Sequence, residues 1–357
     1  MVDCLPTVLT TSTIRSTQTG DSHGGAYLVD LERGHSRQVM DWNDPNIDWA
    51  GRGAERGLRG IAFHGDRLYI AASEEIVVYT PDFRQIGSIK NPYMSQVHEL
   101  WVEADLMYIT STPYDSILVY DLAAERFTRG YCLRQRSRAT RVLARARRAV
   151  IGEVGYARGD SLRERAMRAA WEVQRRVRPR GRLRDLEPFI FDPNGPNGPD
   201  ERDTTHINNV GIHEGVLHVS GTRLRRMLQI DEAAARVRNY ARVPTWTHNA
   251  RPFRDGVLYC DTSVGAVTYA DREGRILKQI LVPRFPDDQL EMAHLPADIA
   301  RPWFARGLAV TDGGTILVGS SPATVTAIDL DAEREIKHVN LTMDIRNAIH
   351  GLAIWPY

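Results

Sequence analysis

Short apolar runs alternate with turn residues along most of the chain, and six of these runs open on His or Arg. They are Arg59-Gly-Ile-Ala-Phe, His98-Glu-Leu-Trp-Val, His206-Ile-Asn-Asn-Val, His248-Asn-Ala-Arg-Pro-Phe, Arg306-Gly-Leu-Ala-Val and His350-Gly-Leu-Ala-Ile. Each of the first five leads through a turn into a second apolar strand: Leu68-Tyr69-Ile70, Met107-Tyr108-Ile109, Leu217-His218-Val219, Leu258-Tyr259-Cys260 and Ile316-Leu317-Val318. From the leading residue to the middle of that triplet the spacing is 10, 10, 12, 11 and 11 residues. So constant a register is an internal repeat, which decides the architecture before any local propensity does.

A third strand follows in each unit and ends on an aromatic or branched residue with Asp close behind. Examples are Tyr120-Asp121, Ile230-Asp231 and Ile328-Asp329. Asp suits these turns because its short side chain hydrogen-bonds the backbone two residues on. A fourth, more polar strand completes the unit, as over 84–89, 275–280 and 336–341. Four short strands per roughly 40 residues is the pattern of a β-propeller blade. Five units start at Arg59, His98, His206, His248 and Arg306. The sixth is split: the C-terminus supplies its first strand from His350, and the N-terminus supplies the rest at about 7–13, 25–31 and 35–42. The expected fold is all-β, a single six-bladed propeller over 1–357, closed by pairing of its two terminal segments.

Long insertions interrupt the repeat at 44–58, 133–205 and 283–304, each between a fourth strand and the next first strand. Alternating strand direction puts all three on one face, together with the starts of the first strands. Loops gathered at one end of a rigid scaffold are where function concentrates. The 133–205 insertion reads as a helical lid. Its stretches 134–150 and 160–177 are rich in Ala, Leu and Arg, good helix formers. Asp160 or Ser161 can cap the second helix, with Glu164 completing a capping box from Ser161. Residues Leu162, Ala166, Ala169, Ala170 and Val173 share one helical stripe. From 133 to 205 there are 18 Arg, no Lys and 10 acidic residues, a net of +8 within a chain of net +1. That excess is either a solvated helix face or a surface for an anionic substrate or an acidic protein partner. No recognition motif points to nucleic acid. The turn-rich run 192–199 reads as a hinge returning to His206.

Hydrophobic content of 42% and charged content of 25% fit a globular domain. No apolar run approaches the roughly 20 residues of a membrane span, and no basic segment leads into an apolar core near the start. Cys4, Cys132 and Cys260 show no CxxC spacing, which suits a reducing compartment. The expected location is the cytoplasm.

The recurring His and Arg carry the candidate chemistry. First strands line a propeller's channel, so His98, His206, His248 and His350 can converge on the axis. Four neutral imidazoles there would suit a divalent transition metal, Fe(II) first, with Cu, Mn, Zn or Ni as alternatives. An open coordination position would make that metal a Lewis acid or an oxygen activator. Arg59 and Arg306, always charged, would hold a substrate carboxylate, sulfate or phosphate, with Trp303 as a wall. Glu99, Asn208, Asn209 and Asn249 are candidates to orient the imidazoles. The blander reading is that a repeat copies its residues, and that each His or Arg stitches blades by bonding nearby carbonyls.

These repeats resemble those of six-bladed propellers of the NHL and strictosidine-synthase-like kind, across nearly the whole chain outside the insertions. The four-His ring resembles that of the carotenoid cleavage oxygenases, which hold iron with four His on a propeller axis. On that likeness His98, His206, His248 and His350 would be the ligands. The chain is also similar to arylsulfate sulfotransferases, six-bladed propellers with a channel His nucleophile and further His, Asn and Arg on the sulfuryl group. There His206 and Asn208, with Arg59 or Arg306, would take those parts.

The leading expectation is therefore a metal-dependent enzyme acting on a small anionic organic substrate, oxidative chemistry first, with lyase or hydrolase chemistry on the same metal as an alternative. A metal-free His/Arg transferase and a non-catalytic protein-binding propeller are the alternatives.

Overall fold

Six antiparallel sheets make up the protein, and the computed structural model describes residues 4–18, 20–43, 57–133, 188–297 and 300–357. Blade 1 joins the two ends of the chain: Asn347–Ile354 pairs with Thr7–Ile14, followed outward by Gly25–Asp30 and His35–Asp41. Val8 faces Ile354 and Leu9 faces Ala353 across the closing pair. Blade 2 runs Ile61–His64, Arg67–Ala72, Glu75–Tyr79 and Gln85–Lys90. Blade 3 comprises Leu100–Glu103, Leu106–Ser111, Ser116–Asp121 and Arg126–Cys132. Blade 4 comprises Ile207–His213, Val216–Gly221, Arg226–Asp231 and Arg236–Arg242. Blade 5 comprises Thr247–Phe253, Gly256–Asp261, Ala266–Ala270 and Ile276–Leu281. Blade 6 comprises Arg306–Val310, Ile316–Ser320, Thr324–Asp329 and Arg334–Asn340. The first strand of every blade touches the first strands of both neighbours, so the ring is closed.

The period-2 pattern explains how the blades hold together. Successive side chains of a strand point to opposite faces, so a second strand that is apolar throughout feeds two interfaces at once. Leu68 and Ile70 pack toward blade 1, whereas Tyr69 and Ala71 pack toward blade 3. Ile316 and Val318 face blade 5, and Leu317 faces blade 1. The buried apolar residues fall into six clusters, one per blade junction. Fourth strands need no such doubling, and Gln85–Lys90 and His35–Asp41 are mostly exposed.

The helices expected over 134–150 and 160–177 lie outside the described residues, as does any surface they would offer an acidic partner. The described end of that insertion is extended: Phe189–Phe191 adds a fifth strand to blade 3 against Gly130–Cys132. The 192–199 run is tied down instead of forming a hinge. Asn91 Nδ2 donates to Pro193 O (3.1 Å), Tyr93 Oη donates to Gly195 O (3.1 Å), and Gly198 N donates to Tyr93 Oη (2.8 Å). Among the described residues no helix is long and apolar enough to cross a membrane.

Candidate active site

The ring residues sit where the innermost ladder is broken. The pairing of first with second strands shifts register at 207/209, 248/251 and 306/308, and on blade 1 it shifts opposite His350. A β-bulge adds twist and re-aims a side chain; here it turns His206, His248, Arg306 and His350 toward the axis. Left-handed backbone makes the bulges possible at His206 (φ 50°), Asn249 (φ 49°) and Gly307 (φ 73°). Blade 1 solves the same problem with close approach: a Cβ on Gly351 would lie 2.2 Å from Arg59 O. Threonines fill the broken ladder. Gly351 N donates to Thr11 Oγ1 (2.9 Å), which donates to Arg59 O (2.5 Å); Thr110 Oγ1 accepts from the N–H groups of His98 and Glu99, both at 2.9 Å.

The six ring side chains do come together, with Arg306 between His248 and His350, Arg59 beside His98, and the rings of His98 and His206 adjacent. Arg306 donates through Nη2 to His248 Nε2 (2.5 Å), and its Nη1 stands 2.8 Å from His350 Nε2. Arg59 Nη1 stands 3.2 Å from His98 Nε2. Two tautomers follow, because a carbonyl can only accept. His98 Nδ1–H donates to Gln96 O (2.8 Å) and His248 Nδ1–H to Trp246 O (3.1 Å), leaving each Nε2 as the acceptor turned toward an arginine. Burial, with Arg59 beside His98 and Arg306 beside His248 and His350, holds all three imidazoles well below their ordinary pKa. They are neutral at physiological pH.

This arrangement bears on the expected metal. Among the described residues no three His, Cys, Asp or Glu side chains are placed together to hold a metal ion. The lone pairs that a cation would need on His98, His248 and His350 are turned to guanidinium N–H groups. An incoming divalent ion would also meet like charge at short range. The residues present do not fit Fe(II), Cu, Mn or Zn.

His206 stands apart from the other three. Its ring lies 5.4 Å from that of His98, but its Nδ1–H donates to the carboxylate of Asp203 at 3.0 and 3.1 Å. The Nε2 atom has no partner among the described residues, and the side chain is 22% exposed. Arg223 grips the other side of Asp203 at 2.9 Å. Burial raises the Asp203 carboxyl, but His206 and then Arg223 outweigh it and hold the group below the usual carboxylate range. Asp203 is itself left-handed, at φ 44°. Strained backbone of this kind persists only where surrounding contacts impose it. Here Asp115 imposes it, accepting from Thr204 N (3.0 Å), Thr204 Oγ1 (2.6 Å), Thr205 N (2.8 Å) and Thr205 Oγ1 (2.5 Å).

None of the expected orienting residues hydrogen-bonds to an imidazole. Asn208 and Asn209 stitch blade 4 to blade 5 by donating to Thr247 O (3.0 Å) and Ala250 O (2.5 Å). Asn249 donates to Glu99 Oε2 (2.8 Å) and accepts from Gly307 N (3.0 Å), crossing between blades 3 and 6. Glu99 is half-buried, and burial pushes its carboxyl up to about 8. Trp303 packs into the junction of blades 5 and 6, with Arg284 stacked on its ring at 4.7 Å.

Its neighbour Phe304 is the aromatic ring of the site. Phe304 lies 5.8 Å from His248 and carries three guanidinium groups around it: Arg15 at 4.9 Å, Arg301 at 4.2 Å and Arg306 at 4.8 Å. Arg15, Arg301, Phe304, Asp203 and Asp115 all escape sequence reasoning, since none occupies the repeated position. The one available signal was Asp203 three residues before a ring histidine.

No family model and no curated protein sequence matches the chain. Solved structures match in shape. A protein of unknown function from Bacteroides caccae has a TM-score of 0.51 at 11% identity, over 98% of both chains. A nidogen/laminin complex gives a TM-score of 0.49 at 10% identity over 97% of both chains. Virginiamycin B lyase from Staphylococcus aureus, inactivated and with quinupristin, gives 0.40 at 11% identity over 79% of this chain and 70% of that one. At such identities the likeness concerns the fold alone.

Proposed function

We propose that the ring of side chains on the propeller axis is the active site of an enzyme that acts on a small anionic organic substrate by general-base chemistry, with His206 as the base. The observation that carries this reading is the Asp203–His206 pair. Of the four ring imidazoles, only this one has its Nδ1 on a carboxylate and its Nε2 unclaimed. A carboxylate on Nδ1–H fixes the tautomer and stabilises the imidazolium formed when Nε2 takes a proton. Arg59 and Arg306 stand beside the neutral imidazoles as fixed positive charge. Preoriented charge of that kind favours a transition state in which negative charge builds on the substrate. The reaction class is proton abstraction next to the anionic group, as in an elimination or isomerisation: His206 Nε2 takes the proton, and the bonding pair stays on the substrate.

Hydrogen exchange in deuterium oxide tests this whatever the final product. Wild-type protein incubated with a panel of small carboxylates and phosphate monoesters should wash deuterium into one C–H position, read by NMR, and His206→Asn should not. Equal exchange by the variant would contradict the proposal. So would near-stoichiometric iron or copper in protein purified without a metal column, which would favour metal-dependent chemistry. A stable adduct on His206 after treatment with an aryl sulfate would favour group transfer.

A further inference from the structure

The guanidinium groups of Arg15, Arg301 and Arg306 each lie within 5 Å of the centroid of one ring, that of Phe304. Three like charges gathered so closely repel one another. Burial lowers the pKa of Arg15 to about 10 and holds that of Arg306 well below its ordinary value, with neighbouring arginines as the next cause in each case. Among the described residues no carboxylate pairs with them. The side chain of Arg15 has no hydrogen-bond partner among the described residues, and Arg301 donates only to a carbonyl, Thr262 O, at 3.1 Å. Arg306 spends Nη1 and Nη2 on the neutral rings of His350 and His248, and its buried Nε has no partner among the described residues. The face of Phe304 offers some compensation, since an aromatic face attracts cations. One ring has two faces, however, and three guanidinium groups share it.

Unpaired buried charge is costly and is normally matched by a partner of opposite sign. We infer that Arg15, Arg301 and Arg306 form the seat of a phosphoryl group, bound as a dianion with three terminal oxygens. A carboxylate has two oxygens in one plane and pairs well with one guanidinium fork. The forks of Arg15 and Arg301 and the unpartnered Nε–H of Arg306, approaching from different elements, are matched by three oxygens arranged as a tripod. A dianion also offsets more of the accumulated charge than a monoanion can. Arg15 follows the blade 1 strand Thr7–Ile14, and Arg301 comes from the connection leading into blade 6. Arg15 and Arg301 thus come from connections on the face that carries the insertions, and Arg306 opens the first strand of blade 6. The seat rests on the reading of the axis as a substrate site and narrows the substrate to a phosphate monoester.

Binding of methyl phosphate, measured by isothermal calorimetry and by the rise in Tm at constant ionic strength, tests the inference. Methyl sulfate serves as the three-oxygen monoanion, malonate as a dianion without the tripod, and acetate as the simple carboxylate. Methyl phosphate should bind saturably and at least tenfold more tightly than each of the other three. Arg15→Gln and Arg301→Gln should each weaken it at least tenfold. If either variant proves too unstable to purify, Arg301→Lys, which keeps charge and loses the fork, should give the same direction of change. His206→Asn and Asp203→Asn should bind methyl phosphate as the wild type does, so failure of the base chemistry leaves this result standing. Equal binding of methyl sulfate or malonate would overturn the inference, as would binding untouched by the arginine substitutions or absent altogether.

Discussion

Asp115 accepts two hydrogen bonds from Thr205, 2.8 Å from its N and 2.5 Å from its Oγ1, and blade 3 thereby fixes the segment that delivers Asp203 and His206 to the axis. Asp115 lies at the turn between the second and third strands of its blade, while Thr205 closes the longest insertion. Through this contact a loop end becomes as well placed as a strand.

Asp115→Asn replaces one accepting oxygen with an NH2 group that faces a backbone N–H and a threonine hydroxyl. Hydrogen bonds to a charged group are worth about 1.5–3 kcal/mol each, and part of the loss recovers through relaxation. A destabilisation of about 2–3 kcal/mol is expected in urea unfolding, together with loss of His206-dependent exchange. A change below about 0.5 kcal/mol would show that the segment is held by other means.

Gly351→Ala should be among the most damaging single methyl additions in the protein. The added Cβ would sit 2.2 Å from Arg59 O and 2.6 Å from Thr11 Oγ1, in the bulge that aims His350. Overpacking of a rigid interior costs about 1–3 kcal/mol, and backbone that cannot retreat puts this site at the upper end. Gly87→Ala is the control: nothing lies within 4 Å of its Cβ position, and its Tm should hardly move.

Stability should fall in acid because of the ring imidazoles. The unfolded chain protonates His98, His248 and His350 near their ordinary value of 6.5, whereas the folded protein resists until well below it. The unfolded state thus binds more protons as pH falls below 6.5, and folding loses free energy throughout that descent. Urea midpoints at pH 7.5 and pH 5 measure the effect.

Glu99 works in the opposite direction. Its carboxyl stays protonated in the folded protein up to about 8, against an ordinary value of 4.5, so its contribution is lost as pH rises through that interval. Glu99→Gln should keep the bond from Asn249 and remove the loss. Its Tm advantage over wild type should grow from pH 4.5 to pH 8 and then level off. A constant offset across that range would mean that the buried carboxyl does not titrate there.

The propeller was legible because its signal is repeated. Alternation fills two interfaces from one strand, as Leu68 and Tyr69 show, and five copies of a 10–12 residue spacing make that pattern hard to miss. The ring was legible for the same reason: a polar residue returning at the mouth of each first strand stands out from the apolar residues around it. Its chemistry was not. The repeat shows four histidines and two arginines in the ring but says nothing of which nitrogen faces which, and contacts such as Arg306–His248 turn the lone pairs away from a metal. Arg15, Arg301 and Asp203 come from connections, where no repeat marks them. Trp303 and Phe304 are neighbours of like character, and only packing decides that the first enters the blade junction and the second faces the arginines.

The most direct test of the account is the deuterium-exchange rate of Asp203→Asn beside that of wild type, with the same substrate and pH. A positioned general base contributes on the order of 10²–10⁴-fold, and removing the carboxylate that orients it should forfeit most of that factor while methyl phosphate still binds. A variant that exchanges within about threefold of wild type would contradict the claim that the Asp203–His206 pair is the working base on the propeller axis.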